Sequence, residues 1–527
     1  MVNIQSRGLK KFFIMSRDNI PSKKNYLKKS GLILGPVLFA LILGLNPAPG
    51  KPMAIRMAAV ASLMAVWWIT DAIPLAATSL LPIVLFPVLG IMSGKHTAPI
   101  YVNSTIFLFM GGFIIAIAME KWLLHKRIAL WIIKLIGESP STIILGFMAA
   151  SAFLSMWISN TATAVMMVPI GLAIISRMEE RFGEKDSHSF SVALMLGIAY
   201  SCSMGGIATL VGTPPNLSFA RIFEITFPGA PPVAFGQWLI MALPVSIIMI
   251  TAIWLILTKM FFHFPPYLKT DKKIIQKEYE DLGPISFEEK SVMAVFVSAA
   301  LLWVFRKEIT IGTVTIPGWS QLMPYPSLID DGTVAIFASL ILFLIPTRDR
   351  SSGSNAIIDI SVFRAIPWHI VLLFGGGFAL AKGFQATGLS EMIGTKFKDL
   401  AGTPPYLMIT LTSSAITFLT ELTSNTATTE MILPILASVA VAVKINPLLL
   451  MIPATLSASC AFMMPVATPP NAIIFGSGKI RIIEMVKVGF FINVLGIVCI
   501  GIIFYLFGTV IFAIDPSSIP QWAIPKP

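Results

Sequence analysis

The sequence predicts an all-α polytopic membrane protein of eleven transmembrane helices plus two re-entrant hairpins, arranged as two inverted repeats. Three observations lead there. First, 56% of the 527 residues are apolar and only 12% charged, with mean hydropathy +0.83, which excludes a soluble globular domain. Second, the apolar stretches are long enough to cross a hydrocarbon core of about 30 Å as helices, without the short alternating segments of a transmembrane barrel. Third, three motifs occur twice in one order. Gly111-Gly112-Phe113 returns as Gly376-Gly377-Phe378, Ser159-Asn160-Thr161-Ala162-Thr163 as Ser424-Asn425-Thr426-Ala427-Thr428, and Thr213-Pro214-Pro215-Asn216 as Thr468-Pro469-Pro470-Asn471. Such register marks an internal repeat.

The first span is Gly31 to Leu45, with no convincing cleavage site after it. Before it stand Arg7, Lys10, Lys11, Arg17, Lys23, Lys24, Lys28 and Lys29 against one acid, Asp18, so the positive-inside rule puts the N-terminus in the cytoplasm. That rule also absorbs the net charge of +12, because the basic residues lie in short clusters beside spans, which argues against a nucleic-acid partner. Ala54 to Thr70 and Pro74 to Met92 follow as spans two and three, and Asn103 to Met119 as span four. From Glu120 to Ile136, Lys121, His125, Lys126, Arg127 and Lys134 alternate with Trp122, Leu123, Leu124 and Trp131, the pattern of an interfacial amphipathic helix.

Ser141 to Ser176 is apolar except at its centre, where the first Ser-Asn-Thr sits. Two full spans joined by a turn would leave short arms and a joint without the charges of an aqueous loop. A re-entrant hairpin with a buried tip fits better, its arms starting near Glu138 and ending at Arg177 to Lys185. Phe190 to Arg221 is a span broken by Gly205-Gly206 and Gly212-Thr213-Pro214-Pro215, whose missing or flexible backbone groups interrupt a helix. Trp238 to Phe262 returns to a linker, Lys269 to Lys290, of mixed charge and solvated character. The second half follows suit with spans at Ser291 to Phe305, Gly332 to Pro346 and Trp368 to Phe384, and an amphipathic piece, Gly388 to Leu400. A second hairpin, Pro405 to Val443, a broken span, Pro447 to Phe475, and a last span, Val486 to Ile514, complete it. Five crossings separate the span before one hairpin from the span before the other, so the repeats are inverted, the tips enter from opposite sides, and the C-terminus is extracellular or periplasmic. Lys479, Arg481, Lys487, Arg348, Arg350 and Arg364 fall inside as the charge rule asks, whereas Lys396 and Lys398 fall outside against it.

A hairpin tip offers backbone carbonyls at the end of one arm and free N–H groups at the start of the next, suited to a cation and an anion respectively. Ser159, Asn160, Ser424 and Asn425 add hard oxygens for an alkali ion, while Thr161, Thr426 and the Asn amides can donate to a carboxylate. Thr213 and Thr468, with the backbone of Gly212 and Ala467, add the broken helices. Polar residues of this kind also serve as glue between membrane helices, but two copies, each followed by a Thr-Pro-Pro-Asn break, favour a site.

The strings SNTATAVMMVPI, TLVGTPPN, ELTSNTATTEMILPI and AFMMPVATPPNAIIFG resemble the divalent anion:sodium symporter family, which includes the sodium-coupled di- and tricarboxylate transporters, and the likeness runs from about residue 30 onward. The resemblance implies a homodimer of eleven-span protomers in the plasma (inner) membrane, each with a scaffold and an elevator-type transport domain. On that basis 1–30 is a cytoplasmic basic N-terminus, 31–137 and 291–400 are scaffold, 138–263 and 401–515 transport domain, 264–290 a cytoplasmic linker, and 516–527 an outer tail. It further implies a dicarboxylate pocket of Ser159, Asn160, Thr161, Thr213, Pro214, Ser424, Asn425, Thr426, Thr468 and Pro469. One sodium site would comprise Ser155, Ser159, Asn160 and Gly212, the other Thr420, Thr423, Asn425 and Ala467, with Thr423 and Ala467 giving only backbone oxygen.

The expected function is sodium-coupled symport of a C4-type dicarboxylate such as succinate, malate or fumarate. A sodium-independent exchanger and a sodium:sulfate symporter are the nearest alternatives, and an anion channel is one from another class. An enzyme is not expected, for want of a nucleophile-base or metal constellation, and no organic cofactor is implied. Cys202, Cys460 and Cys499 lie in apolar segments without metal-ligand spacing, the five histidines are scattered, and Gly476-Ser477-Gly478-Lys479 is only a fragment of a phosphate loop. Glu421 and Glu430 flank the second tip, where the first repeat has Met156 and Val165. A pH- or cation-sensitive role is one reading for both, and salt-bridging is the expected one, with Lys382 as a partner for one of them or a side chain that snorkels to an interface.

Overall fold

The computed structural model describes residues 23–137, 139–265, 267, 273–311, 314–349 and 353–524. Arg7, Lys10, Lys11, Arg17, Asp18, Glu138, Lys269, Arg350 and the end of the outer tail lie outside these residues. Among the described residues nine helices are long and apolar enough to cross a membrane, which makes the chain an integral membrane protein.

The first repeat begins after α1 (Lys23–Leu45), α2 (Pro52–Thr70) and α3 (Leu81–Val88). The third expected span is not continuous: Leu75–Thr78 and α3 are separate helices. Pro82 and Pro87 cannot donate backbone hydrogen bonds, and Leu80 instead bonds Ala77 in a turn at 3.1 Å. Asn103 caps α4 (Ser104–Lys121) through its side-chain oxygen. The amphipathic piece is shorter than expected, because Leu123 adopts a left-handed conformation, φ 58°, that ends α4 and starts α5 at Leu124–Ile136.

Next come α6 (Pro140–Ser155) and α7 (Asn160–Phe182), joined by residues 156–159. The break expected between the hairpin and the following span is one residue, Gly183 at φ 85°. Helix α8 (Glu184–Gly206) then stops, the chain runs irregularly to Thr213, and α9 (Pro214–Thr226) resumes. Helix α10 (Phe235–Leu255) continues through a π-helical turn to Phe261.

The linker is not wholly solvated. A capping box at Ser286 opens α11 (Phe287–Val304), and both acids of its first turn, Glu288 and Glu289, are buried. Glu289 receives Arg127 Nε and Nη2, each at 3.0 Å, and that guanidinium also donates to the carbonyls of Gly283 and Leu282. Arg127, expected at the lipid interface, is therefore inside. Glu288 accepts from Thr347 Oγ1 and the backbone N–H of Arg348, tying the linker to the loop after α12 (Asp331–Leu344). A β-hairpin, Ile309–Ile311 with Val314–Ile316, lies between α11 and α12 and was not anticipated.

The second repeat runs α13 (Trp368–Ala386), α14 (Leu389–Thr395), α15 (Pro405–Thr420), α16 (Asn425–Ala442), α17 (Leu448–Ala458), α18 (Pro469–Gly476) and α19 (Ile482–Ile503). Equivalent helices pack equivalently at the core: α6 against α8, and α15 against α17. The half-helices cross between repeats, α18 packing on α7 and α9 on α16. Each Thr-Pro-Pro-Asn half-helix is thereby held against the Ser-Asn-Thr helix of the other repeat. The ion pairs join residues assigned by sequence to one side, such as Lys479 with Glu179, Lys126 with Glu278 and Lys28 with Asp71, all 2.7 Å. Arg306 and Asp331 pair at the opposite end.

Candidate binding site

Both Ser-Asn-Thr strings start a helix. Ser159 is the N-cap of α7 and Ser424 that of α16, each accepting from the backbone N–H three residues on, Ala162 at 3.2 Å and Ala427 at 3.5 Å. The sequence folds this way because a small hydroxyl satisfies an orphan donor at a helix start that has no water to turn to. The asparagine that follows points back. Ser155 Oγ donates to Asn160 Oδ1 at 2.5 Å, and Thr420 Oγ1 shares its one proton between Asn425 Oδ1 at 2.7 Å and the Ala458 carbonyl at 2.9 Å.

Around the first junction, neutral oxygens converge. A methyl group added at Gly206 would lie 2.6 Å from Asn160 Oδ1 and 3.2 Å from the Gly212 carbonyl, and one added at Gly212 would lie 3.0 Å from the Ser155 carbonyl. Ser155, Asn160 and Gly212 are therefore brought together as expected, and Gly206, which sequence reasoning missed, joins them. Hard, neutral oxygens from backbone and amide groups are the donor set an alkali cation takes. At the second junction Thr423 Oγ1 is already bonded to Leu419 O and Thr428 Oγ1, so only its carbonyl is free for a ligand.

The two helix breaks are braced alike. Asn216 Nδ2 donates to the carbonyls of Gly206, Ile207 and Thr209, and Asn471 Nδ2 to those of Ala461 and Met464, which occupy the equivalent positions. The fourth residue of each Thr-Pro-Pro-Asn motif thus replaces hydrogen bonds that the interrupted helix has lost. Thr468 caps α18 by accepting from Asn471 N. Ser159, Asn160, Ser424, Asn425 and Pro214 are half-buried, Thr161 and Pro469 exposed, and Thr213, Thr426 and Thr468 buried.

Among the described residues neither glutamate forms the expected salt bridge. Glu421 accepts from the backbone N–H groups of Phe462, Met463 and Met464 and from Asn493 Nδ2. Glu430 Oε1 accepts from Ser218 Oγ on α9, and its Oε2 has no partner. Lys382 donates instead to Gln385 on its own helix.

Comparison with known proteins places the chain in a family. Residues 28–514 match the sodium:sulfate symporter transmembrane region. The chain belongs to this divalent anion:sodium symporter family. It is a transporter and not an enzyme. The sodium-dependent dicarboxylate transporter SdcS of Staphylococcus saprophyticus is 42% identical over 514 residues, covering 96% of each chain. That of Staphylococcus aureus strain MRSA252 is 43% identical over 510 residues, covering 96% of this chain and 95% of its own. Two solved transporters share the fold. Neisseria gonorrhoeae MtrF has TM-score 0.53 at 14% identity over 81% of this chain and 86% of its own. Alcanivorax borkumensis YdaH has TM-score 0.53 at 12% identity over 77% and 86%.

Proposed function

We propose that this protein is a secondary active transporter that couples sodium entry to symport of a C4-type dicarboxylate, such as succinate, malate or fumarate, across the plasma membrane. The observation that carries the reading is the doubled hydroxyl-to-asparagine bond, Ser155 to Asn160 and Thr420 to Asn425, beside braced helix breaks. The name borne by the staphylococcal relatives supports the choice of sodium and dicarboxylate.

In this reading each cation sits between a junction and the break of its own repeat. Ser155, Ser159, Asn160 and Gly212 hold the first sodium ion; Thr420, Thr423, Asn425 and Ala467 hold the second. Filling these sites fixes Asn160 and Asn425, whose amides, with Ser159, Thr161, Ser424 and Thr426, donate to the two carboxylates. Thr213-Pro214 and Thr468-Pro469 close the pocket from the crossing half-helices, and neutral donors let the anion leave again. Eleven spans, two re-entrant hairpins in inverted repeats, a homodimer and an elevator movement of the transport domain complete the reading, with the N-terminus cytoplasmic.

The experiment is uptake of radiolabelled succinate into reconstituted vesicles at zero and high sodium, competed by citrate, 2-oxoglutarate and sulfate. Sodium-dependent uptake, lost in folded Ser159→Ala and Asn425→Ala proteins, is the expected result. Sodium-independent counterflow would make the protein an exchanger, competition by sulfate alone would make it a sulfate symporter, and normal uptake by both variants would remove these residues from the site.

A further inference from the structure

The two junctions match in backbone and in hydrogen bonding but not in charge. Residues 155–163 and the break at 203–216 carry no acidic or basic side chain, whereas the equivalent segments of the second repeat carry one carboxylate, Glu421. The breaks are also fastened differently. In the first repeat Thr209 Oγ1 donates to the Met156 carbonyl at 2.5 Å and accepts from Gly212 N at 3.0 Å. In the second, the Glu421 side chain does this work, with Phe462 N at 2.7 Å, Met463 N at 2.8 Å, Met464 N at 3.0 Å and Asn493 Nδ2 at 2.7 Å.

All four partners are donors and none is a cation, so they hold a carboxylate in place without cancelling its charge. Glu421 is 3% exposed, adjoins Thr420, and holds Met464, whose carbonyl accepts from Ala467 N and Asn471 Nδ2. The charge therefore sits in a low-dielectric setting, next in the chain to Thr420 and linked through Met464 to Ala467, two of the residues read as the second cation site, where it acts strongly on a nearby ion.

We propose that Glu421 makes the second cation site the tighter of the two and the first to fill, so that sodium binding is ordered. The inference rests on the sodium reading above. Site one, with neutral oxygens alone, then fills second, and its occupancy, completing Asn160, precedes the dicarboxylate.

The test is a sodium titration of the purified full-length protein without substrate, followed by thermal stabilisation. Two phases are expected in the wild type. Thr420→Ala should weaken the tighter phase and Ser155→Ala the weaker one. Glu421→Gln should move the tighter phase up by about tenfold or more and leave the weaker in place, while Asn493→Leu, which loses one donor but keeps the charge, should move it less than twofold. A folded Glu421→Gln with an unchanged tight phase would overturn the proposal, as would an Asn493→Leu shift as large as that of Glu421→Gln. Should Glu421→Gln fail to fold, the assignment of phases decides: loss of the tight phase in Ser155→Ala, with its retention in Thr420→Ala, reverses the order. If wild-type protein shows no sodium response at all, the sodium reading itself has failed, before any variant is compared, and this proposal falls with it.

Discussion

Ser155 Oγ donates to Asn160 Oδ1 across the four-residue junction of α6 and α7, and Thr420 repeats the bond to Asn425 in the other repeat. The hydroxyl fixes which way each amide faces, with Oδ1 turned back toward the junction. A hydroxyl-to-amide bond of this kind contributes about 1 kcal/mol net. Ser155→Ala should therefore raise the sodium concentration for half-maximal uptake roughly fivefold with little loss of thermal stability. Ser155→Thr should restore it, since Thr420 does the same work in the second repeat.

Gly206→Ala should be far more damaging than its position on an apolar helix suggests. The new methyl would meet both side-chain amide atoms of Asn160, at 2.6 and 3.2 Å, and overpacking of this kind costs about 1–3 kcal/mol. Sodium-dependent uptake should be lost while the protein still elutes as folded. The equivalent Ala461 already carries a methyl, so Ala461→Gly should change uptake less than threefold.

Asn216 and Asn471 hold the breaks by donating to carbonyls that no helix satisfies. Replacing either by Leu leaves buried acceptors unpaired, at about 1–3 kcal/mol for each group. Both variants should unfold at a clearly lower temperature in detergent and by similar amounts, because each amide has two N–H donors, which Asn216 shares among three carbonyls and Asn471 gives to two. Equal stability of wild type and variants would mean that water can brace the breaks instead.

These particulars show what a sequence discloses and what it withholds. Ser159, Asn160, Ser424 and Asn425 were legible because capping chemistry is local and polar side chains stand out in apolar runs. Ala458 was not, since its contribution is a backbone carbonyl that any residue could present, and Gly206 was not, since the Asn160 side chain that excludes a methyl there belongs to another helix. Arg127 looked like a surface residue on an amphipathic helix, as its partner Glu289 lies 162 positions away. The partners of Glu421 were hidden for the same reason: three backbone N–H groups freed by a helix break leave no trace in composition. The third expected span is divided between Thr78 and Leu81, where Pro82 lacks the donor that a continuous helix would give, while Pro87 lies inside α3.

The Arg127–Glu289 pair joins α5 to the start of α11 with two bonds of 3.0 Å. Removing one member of a buried pair strands the other, which costs about 3–5 kcal/mol. Arg127→Ala should lower the melting temperature markedly, and the Arg127→Met, Glu289→Gln double variant should recover much of the loss. Transport by the double variant should keep its affinity for sodium, because neither residue approaches the junctions. A double variant as unstable as Arg127→Ala would show that the carbonyls of Gly283 and Leu282, not Glu289, are the partners that matter.

Glu430 presents the opposite situation, an acid with one donor and no cation among the described residues. Its Oε1 takes the Ser218 hydroxyl from α9, its Oε2 has no partner, and a methyl at Gly377 of α13 would run into the carboxylate. Charged groups on the elements packed around it are engaged elsewhere: Arg221 with Glu224, Lys382 with Gln385, and Arg56 with the Leu89 carbonyl. Gln has the same shape and can keep an acceptor oxygen on Ser218 without a buried charge to stabilise, so Glu430→Gln should melt at the same temperature as wild type or higher. Gly377→Ala in the wild-type background should abolish uptake. A double-mutant cycle of Ser218→Ala with Glu430→Gln separates the bond from the charge: coupling of about 0.5 kcal/mol or more is expected for groups in contact. Additivity would mean that the Ser218 hydroxyl bonds Gln as well as it bonds Glu430, so that α9 is held to α16 without help from a charge.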